Sequence, residues 1–124
     1  MNIDKQLLDN LTAQAQASPR LRMHYDLRDF ADDTSQRSLN ALEPGTYVPI
    51  HRHMETSETV VMLRGRGIQH LYDDAGNETG QVLLAAGAGD PHMASLLGLP
   101  GDAVRGCRWR RDSGISLSLW RAGL

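Results

Sequence analysis

The sequence predicts a mainly β domain with one short N-terminal helix, and three observations carry that prediction. Apolar residues at helical spacing are confined to the first seventeen positions. From Arg20 onward, short apolar runs are separated by Gly, Pro, Asp and Asn, the rhythm of a β-sandwich or barrel. Near the end, Ile115-Ser-Leu117-Ser-Leu119 alternates strictly, which buries one face of a strand and wets the other. The chain has 124 residues, 40% hydrophobic and 23% charged, enough for one domain with a modest core.

Taken in order, the helix spans 3–17, with Ile3, Leu7, Leu8, Leu11 and Ala15 on one face, Asp4 capping its start and Ser18-Pro19 ending it. Its other face, with Lys5, Gln6, Asp9, Asn10, Gln14 and Gln16, reads as solvated. Strands follow near 21–27, 37–42, 47–53, 58–64, 67–73, 79–84, 93–98, 103–109 and 115–121. Glu43-Pro44-Gly45 reads as a tight turn and Asp73-Asp74-Ala75-Gly76-Asn77 as a hairpin loop. Gly65-Arg66-Gly67 reads as a hairpin turn. The helix, 1–19, is expected to pack on a barrel formed by 20–124.

Charge and composition narrow the function. Thirteen Lys and Arg against 15 Asp and Glu leave no overall basic field for wrapping nucleic acid or docking on an anionic membrane. No apolar run approaches the roughly 20 residues that span a bilayer, and the N-terminus lacks the order of a secretory signal, so a cytoplasmic protein is expected. The single cysteine, Cys107, excludes an internal disulfide and a thiolate metal cluster.

The chemistry is concentrated between Gly45 and Gly65. His51 and His53 are two apart, so in an extended strand their imidazoles share a side, about 7 Å apart along the backbone, with Arg52 on the other. After a short connection, Glu58 opens a strand on which Glu58, Val60 and Met62 share a face. If that face is interior, the carboxylate joins the imidazoles. Two histidines and a carboxylate suit a divalent Fe, Mn, Ni or Zn ion with open positions for water or substrate. The two strands read as one hairpin, bracketed by Gly45 and Gly65 where backbone turns need freedom in φ.

These residues resemble the first motif of the cupin superfamily, which runs Gly, five residues, His-x-His, three or four residues, Glu, six residues, Gly. Gly45, His51, His53, Glu58 and Gly65 fill every fixed position. The resemblance narrows to the WbuC family of cupin-fold metalloproteins through Ser18-Pro-Arg-Leu-Arg-Met23, Gln36-Arg37 and Leu39-Asn-Ala-Leu-Glu-Pro-Gly-Thr-Tyr-Val48, and covers about residues 2–84. It implies an RmlC-like jelly-roll barrel, a divalent metal held by His51, His53 and Glu58, and a homodimer. Because the family takes its name from a gene of surface-polysaccharide clusters, it also implies a sugar or small carbonyl compound as ligand.

After about residue 85 the pattern breaks. The second cupin motif, Pro-x-Gly-x-x-His, supplies a fourth ligand, and in register this chain offers Pro100-Gly101-Asp102-Ala103-Val104-Arg105. Arg105, at the histidine position, stays protonated and cannot ligate a cation. Asp112-Ser-Gly114 and the following residues to Gly123 still align with the final strand of the family, which lets the barrel close. A second account is a shifted reading frame: read one nucleotide earlier, residues 111–115 can encode Gly-Gln-Trp-His, and residues 119–124 can encode Leu-Glu-Ser-Gly-Thr. On that account the tail is foreign to the fold.

Other residues carry weaker signals. His92 is the nearest spare imidazole and reads as a loop histidine; His24 and His70 read as packed or surface residues of strands. Arg108-Trp109-Arg110-Arg111 has the composition to stack on and pair with phosphate or single-stranded nucleic acid, but the acidic whole-chain balance speaks against it. Arg52 and Tyr47 are candidates to hold an anionic or sugar-like ligand. Three functions therefore stand as expectations: a metal-dependent enzyme on a sugar or small carbonyl compound, a non-catalytic metal-dependent binding or sensing module, and a metal-free barrel.

Overall fold

The structure is a computed structural model, and it describes residues 2–52, 57–87, 96–99, 104–109 and 114–121. Helix α1 (Lys5–Ala17) starts where Asp4, in extended conformation, accepts the Leu7 amide proton on its carboxylate at 3.0 Å. This satisfies one of the amide groups that a helix start leaves without a partner. Ser18 closes the other end, its amide donating to the Ala15 carbonyl. Leu21 then takes a φ of +55°, rare for a branched residue, as the chain turns from helix into sheet.

Nine strands follow: β1 (Arg22–Asp26), β2 (Ser35–Leu42), β3 (Tyr47–Arg52), β4 (Glu58–Arg64), β5 (Arg66–Tyr72), β6 (Glu78–Ala85), β7 (Leu96–Leu99), β8 (Val104–Trp109) and β9 (Gly114–Arg121). Each falls within three residues of its predicted place. They form a five-stranded sheet of order β1-β2-β9-β4-β7 and a four-stranded sheet of order β3-β8-β5-β6, with antiparallel pairing throughout. Among the described residues only β1–β2 and β5–β6 are hairpins of consecutive strands; the other neighbours are brought together from distant parts of the chain.

This corrects two sequence readings. The strands bearing the predicted histidines and glutamate, β3 and β4, do not pair with each other but lie in different sheets. Likewise Gly65, at φ +73°, turns the chain from one sheet into the other rather than closing a hairpin between β4 and β5. Two glycine-centred turns look alike in sequence; only long-range pairing decides whether the strands they join stay in one sheet. The 73–77 loop is the hairpin expected, closed by the Asp73 amide donating to the Asn77 carbonyl at 2.9 Å. Thr46 likewise closes the turn at Glu43, at 3.0 Å, with Gly45 at φ +92°.

Alternation sorts the side chains into two cores. Leu42, Val60 and Met62 from the larger sheet meet Leu84 from the smaller, with Val48, Leu71 and Val82 packed against them, so this cluster lies between the sheets. Leu39, Ala41 and Ile115 face the other way and bury against Leu11 and Ala15 of α1. The helix therefore covers the outer face of the larger sheet. It is also pinned electrostatically: Arg64 of β4 donates to the Asp9 carboxylate at 2.7 Å. Among the described residues no helix is long and apolar enough to cross a membrane.

Candidate functional site

Glu58 opens β4 on the face that carries Val60 and Met62, which are 7% and 4% exposed in the core between the sheets. The predicted interior placement of Glu58 thus follows from strand alternation, and its side chain is half-buried.

His51 reaches the same interior by a less direct route. In β3, Val48 pairs with Cys107 of β8 and His51 pairs with Arg105, so three steps along one strand match two along the other. This is a bulge, with one extra residue in β3. Positions 105 and 107 share a face, and so therefore do Val48 and His51. Unbroken alternation would have put His51 opposite to Val48, on the outside. Pro49 lies within the irregular stretch, where a residue without an amide proton forfeits no ladder bond.

The same stretch orients the imidazole. The His51 Nδ1 donates to the Pro49 carbonyl oxygen, which can only accept, at 2.8 Å. A backbone carbonyl holding one ring nitrogen is a common way to orient metal-binding imidazoles. His51 is half-buried. The third residue of the predicted set, His53, lies outside the described residues, and among those described no three His, Cys, Asp or Glu side chains cluster. The donors that are described, one imidazole and one carboxyl group on interior faces of facing sheets, fit a divalent first-row ion in chemical type.

The remaining candidates sort as follows. Arg52, on the opposite face from His51, forms an exposed ion pair with Asp74 of the β5–β6 loop. The side chain of Tyr47 lies outside the described residues, as do His92, Arg110 and Arg111. His24, exposed on β1, hydrogen-bonds Asn40 of β2 from Nδ1 at 2.9 Å. His70 pairs through Nδ1 with Glu78 and stacks on Tyr72 at 6.4 Å between ring centres, while its Nε2 is buried with no hydrogen-bond partner among the described residues. Both histidines are thus strand residues with structural partners.

The interior also carries polar residues that sequence reasoning missed: Ser38, Gln69 and Ser116 are 2%, 4% and 6% exposed. Each lies at an alternate position to a core residue, Leu42, Leu71 or a partner of Met62. Alternation alone would have placed them inside, but a polar residue in a β-run is ordinarily assigned to the wet face.

Comparison of the fold with solved structures finds close matches at low sequence identity. TT1209 from Thermus thermophilus superposes with a TM-score of 0.69 at 20% identity, covering 98% of this chain and 97% of that one. The capsular polysaccharide assembling protein CapF from Staphylococcus aureus gives 0.68 at 13%, covering 86% of this chain and 29% of CapF. An oxalate oxidase in complex with the substrate analogue glycolate gives 0.67 at 13%, covering 86% and 54%. The chain therefore spans nearly all of TT1209 but about a third and a half of the other two. These likenesses establish the cupin-type jelly-roll fold. No curated protein sequence matches the chain. The family model described as "Domain of unknown function (DUF6016)" matches residues 3–84, a stretch that takes in α1 through nearly all of β6, with His51 and Glu58 inside it, and the chain belongs to that family.

Proposed function

We propose that this chain is a cupin-fold protein of the WbuC type that binds one divalent metal, Fe, Mn, Ni or Zn, through His51, His53 and Glu58. The observation that carries the reading is the His51 imidazole, turned inward by the bulge and oriented by the Pro49 carbonyl at Nδ1. Glu58, on the interior face of the opposite sheet, supplies the carboxylate. A metal bound there supplies Lewis acidity toward a ligand oxygen. The chain's own part is to orient the imidazole, to bring the carboxylate to the same interior, and to line that interior with Ser38, Gln69 and Ser116 as hydrogen-bonding groups.

The ligand proposed is a sugar-derived or small carbonyl compound of surface-polysaccharide metabolism, handled by a cytoplasmic homodimer. The family resemblance supports this, as does the likeness of fold to a capsular polysaccharide assembling protein. A non-catalytic binding or sensing module is the second reading, favoured by arginine at position 105, where the second cupin motif has its fourth ligand.

Elemental analysis of the purified chain tests the centre. Near-stoichiometric metal is expected in the wild type, falling at least tenfold in His51→Ala and in Glu58→Ala. Metal content unchanged by both substitutions refutes the ligand set, and only traces in the wild type support a metal-free barrel. Turnover of nucleotide sugars by metal-loaded but not chelated protein separates the enzyme from the binding module.

A further inference from the structure

Among the described residues β1 has β2 as its only neighbour, which leaves the other side of β1 as an edge of the larger sheet. The Leu27 amide donates to the Arg37 carbonyl and the Glu43 amide to the Leu21 carbonyl, each at 2.9 Å. In an antiparallel ladder such bonded pairs recur at every second residue, so Met23 and Tyr25 also spend their backbone groups on β2. Arg22, His24 and Asp26 turn theirs to the open edge. We propose that this edge pairs antiparallel with β1 of a second copy of the chain, centred on His24, so that Arg22 lies opposite Asp26 of the partner subunit. The pairing names a surface for the homodimer of the proposed function; it rests on that homodimer and is independent of the metal centre.

The charge pattern of the strand argues for a copy of itself. β1 reads Arg-Met-His-Tyr-Asp, basic at one end and acidic at the other. Reversed against itself about His24, it sets unlike charges opposite each other at both ends, and the two-fold axis makes both pairs at once. Among the described residues Arg22 has no acidic partner within the chain, its charged neighbour being Arg20. Asp26 is held through both carboxylate oxygens by Arg28, which fixes its direction and leaves lone pairs for a second guanidinium. Three pairs that each exchange two backbone bonds add about six hydrogen bonds. On the helix side, Met23 and Tyr25 are half-buried at the margin of the core under α1. In this register each lies opposite the other's copy, which continues that core across the axis. The other sheet edges are less suited: β3 carries Pro49 and a bulge, β7 has four residues, and the one charge of β6, Glu78, is paired with His70.

The test is sedimentation equilibrium of the full chain, with amide hydrogen exchange on the wild type. The wild type is expected to dimerise. Arg22→Glu and Asp26→Arg are each expected to weaken the dimer about tenfold or more, because like charges then meet at both ends of the pairing. The double variant Arg22→Glu/Asp26→Arg restores unlike pairs and is expected to return close to wild type, with the far-UV circular dichroism of all three unchanged. The His24 and Asp26 amides are expected to exchange slowly in the dimer and fast on dilution to monomer. Fast exchange of both amides in the dimer overturns the pairing without any substitution. A dimer that all three variants leave unchanged also overturns it and leaves the homodimer to another surface, and a double variant as weak as the single ones overturns the antiparallel register. A wild type that stays monomeric at its highest soluble concentration overturns the pairing and the homodimer together. The metal reading is judged separately, by the His51 and Glu58 variants.

Discussion

Replacing Ile115 by alanine tests whether the last strand is part of this fold or foreign to it. Ile115 is completely buried, and its neighbours are Leu11 and Ala15 of the helix and Leu39 and Ala41 of β2. Strand β9 lies between β2 and β4, in the middle of the larger sheet. Alanine removes three buried carbons at about 0.8 kcal/mol each, and the cavity they leave adds to that loss. The expected destabilisation is about 3 kcal/mol, a large share of the roughly 5–15 kcal/mol that holds a domain together. An unfolding entropy of about 2.1 cal/mol/K per residue converts this, for 124 residues, to a fall in Tm of about 11 °C. Urea denaturation followed by far-UV circular dichroism is the assay, with a midpoint lowered by about 1.5 M for a slope near 2 kcal/mol/M. Leu39→Ala, in the same cluster but within the family-matched segment, is the control and should cost a similar amount. If Leu39→Ala is costly and Ile115→Ala costs less than about 0.5 kcal/mol, β9 does not pack on the helix, and the placement of the tail is refuted.

Two further outcomes follow. Asp73 accepts the amide protons of Asn77 and Ala75 at 2.8 and 3.0 Å, and the bond from Asn77 is the main reason its carboxyl is held below the ordinary aspartate range. Because the folded value is depressed, the stabilisation is complete above the unfolded value near 3.9 and is lost as pH falls through the folded one. A carboxyl NMR titration should place the Asp73 midpoint under 3.9; a midpoint at or above it removes the loop-closing role. The shifted-frame account of the tail is checked in the coding DNA. If it is right, the bases across residues 111–115, read one position earlier, spell Gly-Gln-Trp-His, and any other reading there ends it.

The helix, its Asp4 cap and all nine strands were legible because each depends on local information: apolar spacing, capping residues and turn formers. The partition into sheets was not. Nothing in Gly65 distinguishes a hairpin from a passage between sheets, since the difference lies in whether β4 finds β9 and β7, residues more than thirty positions away. The site was legible in part for the same reason. Glu58 follows plain alternation from Val60 and Met62. The Arg52 ion pair was not legible because its partner, Asp74, sits in a loop 22 residues on. The interior Gln69 was missed because sequence patterns assign polar residues outward, while burial depends on which sheet lies opposite.

Position 49 shows how a single irregularity can shape the candidate centre twice. Without the extra residue in β3, the alternation that turns Val48 inward would carry Arg52 inward with it and leave His51 on the outer face. With it, His51 faces the interior and Arg52 is left outside to pair with Asp74. The same bend brings the Pro49 carbonyl to 2.8 Å from the His51 ring, so the residue that tolerates the lost ladder position also provides the acceptor that orients the imidazole. The sequence signal for the inward-facing histidine is therefore the proline together with the histidine that follows two residues later. Glu58, which needs no such correction, is delivered by an uninterrupted strand on the opposing sheet.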